Sequence, residues 1–349
     1  MSFYEKNRCE LIAGVSADHL EPKRKTVVLS DGRELPYDRL LVAAGSSPAV
    51  PPIKGLEAVE NMTTFLSLDD ALRLEEMLTP FSRVLILGAG LIGLKCAEGI
   101  AGKAKSITVV DMADHILPSI LDQEASAPVQ RRLEEHGIEF VLSDAAQELH
   151  PDRAVLKSGR GIRFDILVMA VGVRPNVRLV QNAGGAVKRG IVTDSRGQTS
   201  IPDVYAAGDC TESRDITTGE EKVLALLPNA YLQGECAGIN MAGGNQSYDK
   251  AIPMNSIGFF GLHLMTAGSC GGEAYLEKNG GNYKKLFVRE NRLAGYILIG
   301  DVARAGIYTS LIREQTSLSA LDFELIRQKP QLMAFSRTKR NEMLGGNVG

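Results

Sequence analysis

Three glycines, Gly88, Gly90 and Gly93, have the residue type and the G-x-G-x-x-G spacing suited to binding a phosphate. They follow an apolar run at 84–87 and precede a helix-forming stretch at 91–101, so the pattern predicts a strand, a tight turn and a helix. Gly88 permits the turn, Gly90 lets the backbone approach a pyrophosphate, and Gly93 lets the helix pack closely on the strand.

The start of this helix and the strand that follows it complete a dinucleotide-binding pattern. Leu91 and Ile92 lie where the free N–H groups and partial positive charge of a helix N-terminus favour an anion. A second apolar strand, 106–110, ends in Asp111, 23 positions after the first glycine. Asp111 can accept hydrogen bonds from both hydroxyls of a ribose and repels a 2′-phosphate, and no arginine occurs in 112–114 to bind one. The pattern predicts an NADH site; the alternative is a glycine turn in an ordinary α/β domain.

Composition and cysteine usage exclude several classes of protein. The 349 residues include 39 basic and 42 acidic ones, a net charge of −3, so neither nucleic acid nor an anionic membrane is indicated as a partner. No apolar run has transmembrane length, and residues 1–6 lack the core of a signal peptide. The five cysteines (9, 96, 210, 236 and 270) occur singly, without C-x-x-C or metal-type spacing. We expect a cytoplasmic protein with reduced thiols and no metal site.

One twelve-residue pattern occurs twice, at Tyr37–Pro48 and at Phe164–Pro175. Each copy begins with an aromatic residue and Asp, continues as an apolar strand and ends in glycine and proline. Two such end-pieces suggest two copies of one nucleotide-binding fold. In the second copy the glycine fingerprint starts 84 residues before the closing Gly172, whereas the same distance before Gly45 falls upstream of Met1. The sequence therefore predicts that the first copy lacks its opening strand, fingerprint and helix.

The remaining segments predict a third strand–glycine motif and a different C-terminal region. The stretch 201–209 is predicted as a strand that ends in Gly208-Asp209, and a helix follows at about 229–241. From residue 251 the pattern predicts strands at 254–262, 273–277, 283–289 and 292–299, then helices at about 302–315 and 319–328.

Four motifs together resemble those of the FAD-dependent pyridine nucleotide–disulfide oxidoreductase family. They are Ala43-Ala44-Gly45, the glycine fingerprint, Gly172-x-x-Pro175 and Tyr205-Ala-Ala-Gly208-Asp209. Within it, the chain is similar to the branch of rubredoxin reductases and the flavin part of NADH-dependent nitrite reductases. The resemblance implies an α/β fold with two Rossmann-like, three-layer domains, one inserted in the other, and a C-terminal α+β interface domain. The implied segments are an FAD domain at 1–77 and 188–245, an NAD-binding domain at 78–187, the interface domain at 246–335 and a flexible tail at 336–349.

The resemblance also implies roles for single residues. Asp209, after Gly208, matches the aspartate that bonds the FAD ribityl chain, while Ala44 and Gly45 match an Ala-Thr-Gly motif near the flavin, with Ala44 in place of the usual Thr. Asn229 and Ala230 match the start of a helix whose N-terminus faces the flavin and stabilises its reduced, anionic form. A further binding residue is the glycine that closes the NAD-binding copy, Gly172.

Two departures from the family pattern stand out. The FAD pyrophosphate fingerprint is missing, so the chain is a fragment, binds FAD weakly, or has its site completed by another chain. Lys95 replaces a glutamate that usually faces the nicotinamide. We hypothesise that Lys95 modulates the flavin by placing a positive charge near its reactive nitrogen; the alternative is an ordinary surface lysine.

The function this predicts is an NADH-dependent flavoenzyme that passes a hydride from NADH to FAD and electrons to an acceptor. The acceptor is a rubredoxin-like protein or another redox subunit, and a homodimer is expected from the interface domain. No protein nucleophile is predicted. One alternative is a non-catalytic nucleotide-binding remnant or subunit without a competent FAD site. The other is a truncated NADH oxidase or CoA-disulfide reductase.

Overall fold

The structure is a computed structural model that describes residues 3–336 and residue 340. It divides into two compact units. Unit 1 comprises Met1–Ser46, Pro175–Asp215 and Glu220–Ala251, and unit 2 comprises Ser47–Arg174, Ile216–Gly219 and Ile252–Gly349. Most of the predicted tail, 336–349, lies outside the described residues.

Helices and strands, numbered in chain order, follow one another throughout the described residues. The helices are α1 (Phe3–Lys6), α2 (Leu68–Met77), α3 (Leu91–Ile100), α4 (Gln123–Glu134), α5 (Arg178–Asn182), α6 (Leu227–Met241), α7 (Ala305–Arg313) and α8 (Phe323–Gln328). The strands are β1 (Ala17–Glu21), β2 (Thr26–Leu29), β3 (Glu34–Pro36), β4 (Leu40–Val42), β5 (Ser46–Pro48), β6 (Met62–Thr64), β7 (Arg83–Leu87), β8 (Ser106–Val110), β9 (Ile138–Val141), β10 (Ala146–His150), β11 (Arg153–Leu156), β12 (Gly161–Arg163), β13 (Ile166–Met169), β14 (Val173–Pro175), β15 (Val204–Ala206), β16 (Ser213–Arg214), β17 (Glu221–Lys222), β18 (Met254–Phe259), β19 (Leu262–Gly268), β20 (Glu273–Asn279), β21 (Asn282–Arg289) and β22 (Arg292–Ile299). Among the described residues, no helix has both the length and the apolar character to cross a membrane.

A five-stranded parallel sheet with the order β6-β13-β7-β8-β9 forms the centre of the nucleotide-binding part of unit 2. Its adjacent strands β7 and β13 are largely continuous apolar runs because a parallel sheet is buried on both faces. On one face, Val84 and Ile86 pack with the helices α3 and α4. On the other, Leu85 and Leu87 pack with the three-stranded sheet β10-β11-β12. The result is the three-layer arrangement that the family resemblance implies.

The C-terminal part of unit 2 is an antiparallel sheet with the order β18-β19-β22-β21-β20. Ile297 and Ile299 of β22 join the core that contains α3 and α4, while Tyr296 and Leu298, on the opposite face, pack with α7 and α8. This alternation within β22 lets one sheet separate two apolar cores.

The single strand predicted at 254–262 is wrong, since the structure has the two strands β18 and β19 there. They form a hairpin whose two turn residues, Phe260 and Gly261, have φ angles of 47° and 80°. A turn with positive φ at both central positions usually has Asn or Gly at the first of them. Because this turn has Phe260 there, the sequence does not indicate it.

Unit 1 contains a three-stranded antiparallel sheet, β1-β2-β3, and a two-stranded parallel sheet, β4-β15. In the parallel pair, Leu40, Leu41 and Val42 lie opposite Val204, Tyr205 and Ala206, in that order. The three residues of β15 are buried, whereas β4 is buried only at its last residue.

The two units divide the chain at different positions from the predicted domains. Residues 47–77 lie in unit 2 because β6 pairs with β13 in the parallel sheet of that unit. The predicted four-part division into FAD, NAD and interface segments itself stays a prediction.

Candidate nucleotide-binding sites

The glycine turn of unit 2 joins β7 to α3 and requires glycine at two positions. Gly88 has a φ of 112°, and a Cβ there would lie 2.3 Å from the carbonyl oxygen of Ala170. A Cβ on Gly93 would lie 2.0 Å from the carbonyl oxygen of Gly88. Both distances are far below van der Waals contact, so a side chain on Gly88 would clash with the backbone after β13, and one on Gly93 would push α3 away from the glycine turn.

The N-terminus of α3 is open to a ligand. Gly90 is the N-cap residue, it makes no side-chain capping bond, and a Cβ built on it meets nothing within 4 Å. Leu91 and Ile92 form the first turn of the helix. An uncapped helix start beside open space has free backbone N–H groups and a partial positive charge, and the predicted binding of a pyrophosphate there stays a prediction.

Asp111 follows β8, and backbone groups hold its carboxylate in place. Oδ2 accepts a hydrogen bond from the N–H of Ala89 at 2.6 Å, and Oδ1 accepts one from the N–H of Ala113 at 2.8 Å. The carboxylate is therefore fixed against the glycine turn, with lone pairs left over for ribose hydroxyls. Sequence reasoning singled out Asp111 but missed these two donors, because any residue type supplies a backbone N–H.

Gly172 lies beyond the end of β13, which is hydrogen-bonded to β7 in the same sheet. It has a φ of 113°, and its carbonyl oxygen accepts a hydrogen bond from the N–H of Ala49 at 2.9 Å. Because the strands are parallel, Gly172, Gly88 and Asp111 all lie at the carboxyl edge of the sheet, where ligands of open α/β sheets bind.

A second set of predicted residues meets at the carboxyl edge of the β4-β15 pair in unit 1. The N–H of Gly208, which has a φ of 82°, donates to Oε1 of Gln233 at 2.7 Å. Asp209 Oδ2 accepts a hydrogen bond from the hydroxyl of Ser46 at 3.1 Å. The sequence analysis identified neither Gln233 as a partner of Gly208 nor Ser46 as a partner of Asp209.

Ala44 and Gly45 are held at this same edge by one residue. The carbonyl oxygen of Ala44 accepts from Nδ2 of Asn176 at 2.8 Å, and that of Gly45 accepts from the backbone N–H of Asn176 at 3.0 Å. The unit 1 edge therefore presents two glycine-containing loops and one carboxylate, the groups expected beside a polyol chain.

The helix α6 begins at Leu227, two residues before the predicted start. Asn229 is buried, and its Oδ1 accepts a hydrogen bond from the hydroxyl of Tyr248 at 2.8 Å. The N–H of Ala230 donates to the carbonyl oxygen of Leu226 at 3.0 Å within the helix. The binding roles predicted for Asn229 and Ala230 stay predictions, but the amide of Ala230 is engaged in the helix rather than available at its start.

Lys95 lies on α3, in a contact with the β18-β19 hairpin of the same unit. Its ammonium pairs with the carboxylate of Glu98 and donates to the carbonyl oxygen of Gly258 at 3.2 Å. Glu98 also accepts a hydrogen bond from the N–H of Phe260 at 2.7 Å. The Lys95 ammonium lies 5.6 Å from the ring centroid of Phe259. The charge of Lys95 is thus compensated within unit 2, and its influence on a flavin stays a hypothesis.

Two buried thiols lie near the predicted sites. Burial raises the pKa of the Cys96 thiol to about 12, and burial likewise raises the pKa of Cys210. Both thiols are protonated at neutral pH, so neither is the thiolate that nucleophilic catalysis requires.

Comparison with protein families matches two segments of the chain. Residues 3–234 match the model of the pyridine nucleotide-disulphide oxidoreductases. Residues 253–316 match the rubredoxin NAD+ reductase C-terminal domain.

Individual relatives cover most of the chain. The NADH-dependent phenylglyoxylate dehydrogenase subunit epsilon of Aromatoleum evansii is 31% identical over 91% of the chain and 78% of its own length. The nitrite reductase [NAD(P)H] of Bacillus subtilis is 29% identical over 91% of the chain, which spans only 40% of that relative. Among solved structures, the NAD-dependent persulfide reductase from A. fulgidus has a TM-score of 0.84 at 27% identity, covering 91% of this chain and 65% of that one.

These matches confirm the predicted resemblance to the pyridine nucleotide–disulfide oxidoreductases and the α/β fold class with Rossmann-like domains. They also confirm the prediction of an oxidoreductase with FAD and NADH as its cofactors. The family match covers about two thirds of the chain, and it includes the carboxyl edges of both parallel sheets. The chain belongs to the pyridine nucleotide-disulphide oxidoreductase family.

Proposed function

We propose that this chain is the NADH-oxidising flavoprotein component of an electron-transfer system. The observation that carries the proposal is the Asp111 site, an aspartate fixed by two backbone amides beside an uncapped glycine turn. A bound FAD supplies the redox chemistry, since it accepts a hydride from NADH and releases electrons to an acceptor.

The residues of unit 2 bind and select the nicotinamide dinucleotide. The start of α3, at Gly90 and Leu91, receives the pyrophosphate through backbone N–H groups. Asp111 accepts the ribose hydroxyls and repels a 2′-phosphate, since its bonds to Ala89 and Ala113 keep its charge in place. The unit therefore prefers NADH over NADPH.

The residues of unit 1 fit one end of FAD and not the other. Asp209 and the loops at Ala44-Gly45 and Gly208 suit the ribityl chain and the flavin end. No strand in the described part of unit 1 runs into a G-x-G-x-x-G turn, so those residues provide no cradle for the FAD pyrophosphate. We call this set of residues the FAD half-site of unit 1.

The proposed acceptor is a redox protein of the rubredoxin type or another redox subunit. The match of residues 253–316 to a rubredoxin reductase domain and the name of the epsilon-subunit relative support this choice. A homodimer and a cytoplasmic location complete the proposal.

Anaerobic NADH titration of the purified chain tests the function. We expect the flavin absorbance band to bleach with NADH and to bleach far less with NADPH. NADH binding is measured separately by the change in nicotinamide fluorescence, which requires no flavin. A colourless protein that binds NADH favours the non-catalytic alternative, and a protein that binds neither nucleotide contradicts both.

A further inference from the structure

Unit 1 contains a cavity of about 220 Å³, and all the residues that line it belong to this unit. Most of them lie in the turn at 193–197, in the stretch 212–214, on α6 at Gln233 and Cys236, and in the chain that follows α6, at 248–251. At roughly 30 Å³ for each water-sized group, the cavity has room for a molecule of about seven non-hydrogen atoms. None of the residues predicted to bind FAD or NADH lines it.

A buried carboxylate faces this cavity. Glu212 is one of the lining residues and is only 7% exposed. Its Oε1 accepts hydrogen bonds from the backbone N–H groups of Arg189 at 2.7 Å and Gly190 at 3.1 Å. Its Oε2 accepts no hydrogen bond from the described residues, and this oxygen is not fully enclosed by protein atoms. Because the rest of the residue is buried, Oε2 opens into the cavity.

No cation in the described part of unit 1 pairs with Glu212. Lys222, on the neighbouring strand β17, pairs instead with Asp215 at 2.6 Å. A buried glutamate normally has a positive partner, because removing a carboxylate from water costs several kcal/mol. The two amide donors on Oε1 offset part of this cost, and a cation beside Oε2 would offset more of it.

The other charged side chains of the lining make the cavity negative. Asp194, Glu221 and Asp249 add three carboxylates to that of Glu212, whereas Arg214 adds one positive charge. Arg214 lies directly opposite Glu221 in the β16-β17 pair, so these two charges offset one another. The remaining excess of carboxylates attracts a cation and disfavours an anion.

The lining favours an organic ammonium over a metal ion. Among the residues that the structure describes, no group of three or more His, Cys, Asp or Glu side chains could hold a metal. The hydroxyl of Ser213 accepts a hydrogen bond from Nε2 of Gln233 and keeps a second lone pair for another donor. The buried side chains of Ala206, Cys236 and Ala251 add an apolar wall, which suits alkyl carbons.

We propose that this cavity binds the primary ammonium of a small aliphatic amine. The ammonium donates to Oε2 of Glu212 and to the hydroxyl of Ser213, and the alkyl carbons pack on the apolar wall. A four-carbon diamine, with about six non-hydrogen atoms, fits the volume. Asp194 and Asp249, which are both exposed lining residues, then pair with its second ammonium. This binding requires neither FAD nor NADH and is independent of the proposed function.

Isothermal titration calorimetry of the purified chain with 1,4-diaminobutane tests the proposal. We expect saturable binding of one diamine per chain, and binding at least about tenfold weaker for 1,4-butanediol, which has the same length and no charge. Glu212→Gln should weaken diamine binding about tenfold, the scale of a hydrogen bond to a charged group. The glutamine keeps an oxygen that accepts from Arg189 and Gly190. Glu235→Gln is the matched control and should leave the affinity unchanged, because Glu235 is an exposed carboxylate of α6 outside the cavity.

A second variant tests the other acceptor and leaves the buried carboxylate in place. Ser213→Ala should weaken diamine binding about threefold, the scale of a neutral hydrogen bond. Urea unfolding shows whether each variant keeps its fold, and if Glu212→Gln does not, Ser213→Ala and the comparison of diamine with diol decide the question. Absence of saturable diamine binding, equal binding of the diol, or equal effects of Glu212→Gln and Glu235→Gln would overturn the proposal. So would Mg²⁺ that binds more tightly than the diamine and displaces it, because the cavity would then be a metal site.

Discussion

The strands β4 and β13 follow the same aromatic–aspartate pair and have opposite surroundings. β13 pairs with β6 and β7 and is buried along its whole length, whereas β4 pairs with β15 alone among the described residues and is half-exposed. Similar apolar sequences therefore form a core strand in one unit and an edge strand in the other. The difference lies in the neighbouring segments, because burial of a strand depends on what lies on both sides of it.

The two carboxylates at the nucleotide edges differ in the same way. Asp111 is fixed by two backbone amides, one of them in the glycine turn. Asp209 accepts one hydrogen bond from a side chain, the hydroxyl of Ser46, in the described structure. Since a preorganised site loses less entropy on binding, the unit 2 site should bind its nucleotide unaided, and the unit 1 site should not.

The largest effect expected within unit 2 comes from Gly93→Ala. Its Cβ would lie 2.0 Å from the Gly88 carbonyl oxygen, so α3 must shift away from the glycine turn. We expect the loss of NADH binding and a free energy of unfolding lower by about 1–3 kcal/mol. Gly99→Ala, on the same helix with nothing within 4 Å of its Cβ, is the control and should stabilise slightly. Fluorescence titration measures the NADH affinity, and urea unfolding measures the free energy of unfolding. Similar results for the two variants would contradict the predicted clash at Gly93.

Asp111→Asn tests how NADH is selected. Removing the charge should weaken NADH binding roughly tenfold, the scale of a hydrogen bond to a charged group, and narrow the preference over NADPH. Asp114→Asn is the control, because the Asp114 side chain is 63% exposed and pairs with His115. If Asp111→Asn leaves the NADH to NADPH affinity ratio unchanged, the carboxylate does not select the nucleotide.

Asp165 and Asp38 should differ in their contribution to stability. The pKa of Asp165 is lowered to about 2 by hydrogen bonds from Arg83, so its stabilisation is present above the ordinary aspartate range and is lost as the pH falls towards 2. Because the side chain is 41% exposed, we expect Asp165→Asn to cost only about 1 kcal/mol at pH 7. Asp38→Asn should change the free energy of unfolding by less than about 0.5 kcal/mol. Urea unfolding at pH 7 and pH 3 measures this, and an Asp165 effect that persists unchanged at acid pH would argue against the ion pair.

Ser46→Ala should have the smallest effect, and only on unit 1. Loss of the hydroxyl that donates to Asp209 should weaken FAD binding about threefold and leave NADH binding unchanged. Flavin fluorescence quenching provides the measurement. A change in NADH affinity as large as that in FAD affinity would show that Ser46 acts on overall folding instead.

Much of the unit 2 site was predictable because its determinants are local. Gly88, Gly90, Gly93 and Asp111 lie within one βαβ stretch whose apolar pattern defines the strands around them. The bonds from Ser46 to Asp209 and from Asn176 to Ala44 join residues 163 and 132 positions apart, and such contacts have no periodic signature. The missed β18-β19 hairpin has a physical reason too, because Phe260 adopts a left-handed conformation that its residue type does not indicate.

Equilibrium dialysis of the FAD-free chain against NADH and, separately, against FAD compares the two units most directly. A complete site in unit 2 and a half-site in unit 1 predict saturable NADH binding without flavin. They also predict that FAD binds more weakly than NADH, because the described residues of unit 1 contact only one end of FAD. Tight FAD binding, together with no binding of NADH, would contradict this account.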